Sequence, residues 1–335
     1  MARSFSLDPG RRPWAWMGMA EWCEEDGAAQ PWRINRDLAM TSASAEFVAG
    51  AREPCGVRAR VFTDARRLEL VTRRTNRPGG VCDVLVDDVL VYRWRAGVGD
   101  SRMACDLPGR GMRTVEVWLP QQGQAALVEI ALHDASQVQA APAADLSWVT
   151  YGSSITQCAA AEGPSETWPA LIARQHDWQL RSLGLGGQCH LDTAAARTIR
   201  DEPADLISLC LGINIYGQCT FNARSLPSAV TGFIQTVRDG HPKTPIVVIS
   251  PISSPLREAQ ANGVGMTLQD VRGVVHGAVD LLINCGDTGL YPVDGRDVLA
   301  DGEAGLLFDG VHPRAEGYRL MAERLAPLLA SVIAT

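Results

Sequence analysis

The sequence predicts two successive architectures, an antiparallel β-sandwich followed by a three-layer α/β/α domain built on a parallel sheet. Three observations predict it. Up to about residue 133 the apolar residues recur with period two; beyond residue 146 short continuous apolar runs alternate with amphipathic stretches; between them residues 134–145, DASQVQAAPAAD, are small and polar and read as a linker. The chain has 335 residues, enough for two domains, and its 46% hydrophobic and 21% charged residues exclude a disordered chain, a collagen-like fibre and a coiled coil.

In the first half, Val57-Arg58-Ala59-Arg60-Val61, Leu68-Glu69-Leu70-Val71-Thr72 and Val115-Glu116-Val117-Trp118-Leu119 alternate, and 82–86, 89–94 and 126–132 look similar. Turn-rich pieces such as Thr75-Asn76-Arg77-Pro78-Gly79-Gly80 separate them. Many short strands with one buried and one polar face make a sandwich or a barrel. Trp14, Trp16, Trp22, Trp32, Trp94 and Trp118 all lie in this half. Packing into core and seam is the default reading for them, and a platform for a sugar is the competing one.

In the second half, the runs Leu146-Ser147-Trp148-Val149-Thr150-Tyr151, Leu206-Ile207-Ser208-Leu209-Cys210-Leu211 and Ile246-Val247-Val248-Ile249 are too short for helices and read as strands buried on both faces. A further strand is expected near 179–183. Amphipathic stretches near 166–177, 190–200, 224–239, 268–283 and 314–332 supply the crossover helices of a parallel sheet. The expected units are therefore 1–140 and 146–335.

Charge and cysteine narrow the functional classes. Residues 1–144 balance, whereas residues 145–335 carry the whole net charge of −7 with Lys243 as the only lysine, a poor surface for nucleic acid or anionic membrane. No stretch approaches the roughly 18 apolar residues of a membrane span. Arg11-Arg12 resembles an export signal only superficially, since Glu21 interrupts the apolar residues behind it. Nine scattered cysteines with no C-x-x-C element suit reduced thiols in a cytoplasm better than a disulfide scaffold, and Cys189-His190 lacks the partners of a zinc site.

Parallel sheets collect reactive groups beyond the carboxyl ends of their strands. The first strand runs into Gly152-Ser153-Ser154-Ile155-Thr156, where Ser154 is either an exposed hydroxyl or a helix cap. The second runs into Gly184-Leu185-Gly186-Gly187-Gln188, a loop able to present bare N–H groups, or simply a turn. It has neither the dinucleotide fingerprint nor a P-loop lysine. The third ends in Gly212-Ile213-Asn214, and Phe308-Asp309-Gly310-Val311-His312-Pro313 precedes the last helix. An Asp and a His three residues apart can converge, the histidine as a base and the carboxylate fixing its tautomer. Each feature has a plain structural reading alone; together they supply a nucleophile, oxyanion donors and a base at one sheet edge.

These residues resemble the SGNH, or GDSL, superfamily of serine esterases and acyltransferases. The nucleophile block is Gly152-Ser153-Ser154-Ile155, the glycine block Gly184-Leu185-Gly186-Gly187, the asparagine block Gly212-Ile213-Asn214, and the last block runs from Asp309 to His312. Carried over residue by residue, the resemblance makes Ser154 the nucleophile, His312 the base and Asp309 its orienter, with Ser154 and Gly187 N–H and the Asn214 side chain as oxyanion hole. Ser153 and Ile215 stand where the family usually has aspartates, which leaves the local hydrogen bonding open. The resemblance implies a flavodoxin-like three-layer domain preceded by a jelly-roll-like sandwich, as in the superfamily's two-domain branch. It implies no metal and no bound cofactor. Within that branch it extends to acyltransferases of antibiotic biosynthesis. The implied partners are small molecules: an acyl donor, with acyl-CoA as co-substrate carrying a salicylyl-like aromatic group, and a hydroxyl of a glycosylated natural product. Hydrolysis of short-chain or carbohydrate O-esters is the alternative, and a carbohydrate-binding protein with an inactive second half is a third reading. Trp168, Tyr216 and the loop 253–265 are candidate pocket walls, with packing as the competing reading.

Overall fold

Alternation along the first half does build two facing antiparallel sheets. The computed structural model describes residues 3–333 except 43, 75–79 and 145, so most of the turn expected at 75–80 lies outside the described residues. One sheet runs in the order Glu21–Glu25, Ala28–Trp32, Ala125–Ala135, Arg67–Arg74, Gly99–Asp106, with Arg3–Ser6 also on Ala125–Ala135. The other runs Val138–Ala140, Arg58–Thr63, Arg113–Trp118, Val81–Val86, Val89–Arg95, with Trp16–Met17 also on Arg58–Thr63. Val61, Leu68, Leu70, Val84, Val115, Val117, Ile130 and Leu132 meet in a dry core between the sheets. Their polar neighbours in sequence face outward, as a two-residue repeat requires.

The stretch 134–145 is not a plain linker. Val138–Ala140 pairs with Arg58–Thr63, Gln139 lying opposite Phe62, and Asp64 accepts from the N–H groups of Ser136 at 2.8 Å and Gln137 at 3.0 Å. The half-buried Val138 packs on the sandwich core and gives this small, polar stretch its reason to extend as an edge strand.

The second half is a five-stranded parallel sheet, here numbered β1 (Leu146–Gly152), β2 (Trp178–Gly184), β3 (Leu206–Cys210), β4 (Ile246–Ile249) and β5 (Leu290–Val293), in the order β2-β1-β3-β4-β5. Its central strands are mostly apolar because both faces are covered. Val149, Tyr151, Ile207, Leu209 and Val248 enter one core, while Trp148, Leu180, Leu206, Val247 and Ile249 enter the other. Helices Thr193–Asp201, Leu226–Arg238 and Leu268–Asn284 cover the first face, and Trp168–His176 and Ala315–Ser331 the second. The chain leaves β1 for β2 on one side and reaches β3 on the other, so the switch point of the sheet falls at the carboxyl end of β1.

The two halves share their cores. Short helices Arg36–Met40 and Ala45–Ala51 bring Ala39, Phe47 and Ala51 into the first α/β core beside Leu183 and Leu185. Leu85 and Trp118 of the sandwich join Trp148 and Trp168 in the second. Asp83, fully buried, receives both Nε and Nη2 of Arg93 (2.7 and 3.0 Å) and the N–H and hydroxyl of Ser165 (3.1 and 2.7 Å). That ties the sandwich to the loop that follows the first helix of the α/β layer. Among the described residues no helix is long and apolar enough to cross a membrane.

Candidate active site

Three adjacent strand ends and one distant loop converge at the switch point. After β1 the chain turns into the four-residue helix Ser154–Gln157. The helix is capped by Ser153, whose Oγ accepts the Ile155 N–H at 3.2 Å. Capping therefore falls to Ser153, and the Ser154 hydroxyl is left for the site. It lies 2.8 Å from Nε2 of His312, 158 positions along the chain.

His312 sits in a turn closed by its neighbours. Its Nδ1 is 2.7 Å from Oδ2 of Asp309, and Oδ1 of Asp309 accepts the N–H groups of His312 at 2.8 Å and Val311 at 3.0 Å. Burial alone would raise the Asp309 pKa, but these hydrogen bonds outweigh it and hold the carboxyl below its usual range. A carboxylate only accepts, so the ring proton is on Nδ1 and Nε2 offers a lone pair to the Ser154 hydroxyl. Ser254 Oγ donates to the Gly310 carbonyl at 2.6 Å, and Arg257 Nη1 approaches the same oxygen at 3.3 Å. They steady the left-handed Gly310 (φ +78°) between the two residues. Phe308 stacks on the imidazole with centroids 5.5 Å apart.

The glycine loop after β2 must approach the Ser154–Gln157 helix closely. A Cβ on Gly184 would stand 2.4 Å from the Gln157 nitrogen, so only glycine fits there. Gly187 adopts φ +72° and its carbonyl accepts from Gln218 Nε2 at 2.6 Å and His190 Nε2 at 2.9 Å. Because that carbonyl only accepts, His190 carries its proton on Nε2 and takes the Thr220 hydroxyl on Nδ1 at 2.8 Å. The N–H groups of Ser154 and Gly187 meet no acceptor among the described residues. Asn214, in the short helix Ile213–Gln218 after β3, accepts the Cys189 N–H on Oδ1 at 3.1 Å, which leaves its Nδ2 as the free, donating end.

The sequence-predicted residues thus fall into one Ser154–His312–Asp309 hydrogen-bonded chain, with Gly187 and Asn214 carried to the neighbouring strand ends of the same sheet edge. The two departures from the expected pattern have structural answers: Ser153 caps the helix Ser154–Gln157, and Ile215 is buried in the α/β core. Of the candidate pocket walls, Trp168 is fully buried with Nε1 on the Ile155 carbonyl at 3.1 Å, and Tyr216 is buried with its hydroxyl on the Gln260 carbonyl at 3.0 Å. Both pack. Arg257, Gln157 and Gln218 escaped the sequence reading, since nothing local marks them.

A model of the GDSL-like lipase/acylhydrolase family matches residues 147–330. Among solved structures, the chain is similar to a salicylyl-acyltransferase from a tetracycline biosynthetic pathway, at 30% identity and TM-score 0.87 over 98% of this chain and 97% of that one. It shares its fold with a family two carbohydrate esterase from Cellvibrio japonicus (16% identity, TM-score 0.67, 100% of this chain and 98% of that one). The same holds for one from Clostridium thermocellum solved with cellohexaose (17%, TM-score 0.68, 84% and 93%). No curated protein matches the chain.

Proposed function

The chain belongs to the GDSL-like lipase/acylhydrolase family, an enzyme family of serine acyltransferases and esterases, and on that premise we propose that it transfers an acyl group through an acyl-enzyme on Ser154. The observation that carries this reading is the Ser154–His312–Asp309 chain of hydrogen bonds, 2.8 and 2.7 Å long. His312 Nε2 takes the Ser154 proton as Oγ bonds to the substrate carbonyl carbon. The resulting oxyanion is received by the Ser154 and Gly187 N–H groups and the Asn214 amide. Collapse expels the leaving group, which takes the proton from His312. An acceptor hydroxyl then gives its proton to His312 and attacks the acyl-serine, and the second collapse returns the proton to Ser154 Oγ.

The proposed donor is an acyl-CoA carrying an aromatic, salicylyl-like group, and the acceptor is a hydroxyl of a glycosylated natural product. The full-length likeness to a salicylyl-acyltransferase supports this choice. A CoA thioester donor places the reaction in the cytoplasm, as a step of antibiotic biosynthesis between small molecules and without metal or bound cofactor. Ester hydrolysis is the second reading. It is favoured by the openness of the site to water: the His312 and Asp309 side chains are 29% and 41% exposed.

A fluorophosphonate probe followed by peptide mapping tests the acyl-enzyme. Label on Ser154 is expected; an unlabelled Ser154 would leave a binding protein with an inactive second half. Incubation with salicylyl-CoA, with and without a glycoside acceptor, separates the two activities. An acylated glycoside supports transfer, and free acid as the sole product supports the esterase.

A further inference from the structure

The loop that presents the Gly187 N–H is held by the N-terminal half of the chain. Gln157, 4% exposed, accepts the Gly186 N–H on Oε1 at 2.7 Å. Its Nε2 donates to the Gln121 carbonyl at 3.0 Å and to the Glu53 carboxylate. Those two partners only accept, so the amide has a single satisfied orientation, with its oxygen toward the glycine loop. Glu53 is fixed in turn by the Gly123 N–H at 2.9 Å. Arg33, fully buried, grips the strand that feeds the same loop, donating to the carbonyls of Ser182 at 2.8 Å and Gly184 at 2.9 Å and to Gly50 at 2.7 Å. With Gly186 N–H held on one side and the Gly187 carbonyl held by His190 and Gln218 on the other, the peptide between them, which carries the Gly187 N–H, is fixed at both ends.

We propose that Gln157, clamped by Glu53 and Gln121, is a positioning residue for the oxyanion, and that the sandwich half is thereby part of the catalytic apparatus. The proposal rests on the acyl-enzyme reading. Misplacing a catalytic group by about 1 Å costs on the order of 10²-fold in rate. Gln157→Glu turns a carboxylate toward Glu53 and drives the clamp apart. Adding Glu53→Gln restores one of the two lost bonds: the residue at 53 then donates to the carboxylate at 157, which still accepts the Gly186 N–H, while the Gln121 carbonyl stays without its donor.

The test measures p-nitrophenyl acetate hydrolysis by the full chain, with thermal midpoints recorded in parallel. Gln157→Glu is expected to lower kcat by roughly 10- to 100-fold with KM within about twofold, and the reversed pair to recover a clear part of the loss. A kcat for Gln157→Glu within threefold of native, or a loss that the reversed pair leaves unchanged, overturns the proposal. Should Gln157→Glu not fold, Glu53→Ala serves in its place, with its thermal midpoint read alongside because the Glu53 carboxylate also favours the charge of the fully buried Arg33. A several-fold fall in kcat at constant KM supports the clamp, and unchanged kcat sinks it. Absence of fluorophosphonate label on native Ser154 defeats the acyl-enzyme reading; a labelled Ser154 with indifferent Gln157 and Glu53 variants defeats only the clamp.

Discussion

Ser153 and Ser154 are neighbours in sequence with opposite tasks: the first hydroxyl accepts the Ile155 N–H at 3.2 Å, and the second faces His312 Nε2 at 2.8 Å. Division of labour between them sets the first expected outcome. Ser153→Ala removes a helix cap and should lower stability by about 1 kcal/mol, a loss that thermal unfolding reads, while fluorophosphonate still labels residue 154. Ser154→Ala should leave stability near native and abolish acyl-enzyme formation. Near-native ester turnover by Ser154→Ala would refute the assignment.

Asn214 is held by its own acceptor, since the Cys189 N–H occupies Oδ1 at 3.1 Å and leaves Nδ2 to donate. Losing one oxyanion donor typically costs about 10²- to 10³-fold in turnover. Asn214→Ala is expected to fall in that range in kcat, and Asn214→Asp at least as far, because it keeps the bond to Cys189 but sets a negative charge against the oxyanion. Steady-state kinetics of the two variants check this. An aspartate variant more active than the alanine variant would contradict the donor role.

Much of this arrangement was legible because burial on both faces writes itself into sequence. Leu206–Cys210, interrupted only by Ser208, and Ile246–Ile249 are nearly continuous apolar runs and became central strands. Several edge strands were not legible. β5, Leu-Tyr-Pro-Val, has Pro292 exposed and Tyr291 half-buried, and Gly99–Asp106 buries only Met103 and Cys105, so neither shows a pattern. Helices Arg36–Met40 and Ala45–Ala51 are too short to display a 3.6-residue period and owe their place to the core they pack against. Ser154, Asp309 and His312 were readable from their blocks, each beyond a strand or before a helix. Gln157 and Arg33 were not, because their partners lie 104 positions away at Glu53 and 149 positions away at Ser182.

The Asp309–His312 pair fixes the form of the acid limb of the pH profile. Asp309 has its folded pKa held below the ordinary carboxylate range, so its stabilising hydrogen bonds are in place above its unfolded pKa and fade as pH falls through the lowered folded one. It therefore remains a carboxylate over the range in which histidine titrates. Log kcat/KM should fall with unit slope on the acid side, because Asp309 adds no second proton there. Asp309→Asn loses the tautomer control and should cost on the order of 10⁴-fold in kcat. A slope of two in the native enzyme would mean that the Asp309 carboxyl is not held below its ordinary range.

The seam between the halves gives the last expectation. Asp83 is completely buried, and its bonds to Arg93 and Ser165 join the sandwich to the loop after the nucleophile helix. Arg93 also reaches Glu166 at 2.6 Å, and Arg319 of the last helix joins that carboxylate at 3.3 Å, so four elements meet in one network. Removing the acceptor of a buried donor costs about 1–3 kcal/mol, and Arg93 itself is not stranded because it keeps Glu166 and Glu162. Asp83→Ala removes the acceptor that two guanidinium nitrogens and Ser165 share, and should destabilise by about that amount in denaturant unfolding. Asp83→Asn keeps the shape and one acceptor oxygen, so its loss should be smaller. Equal stability of Asp83→Ala and native protein would show that this network does not hold the two halves together.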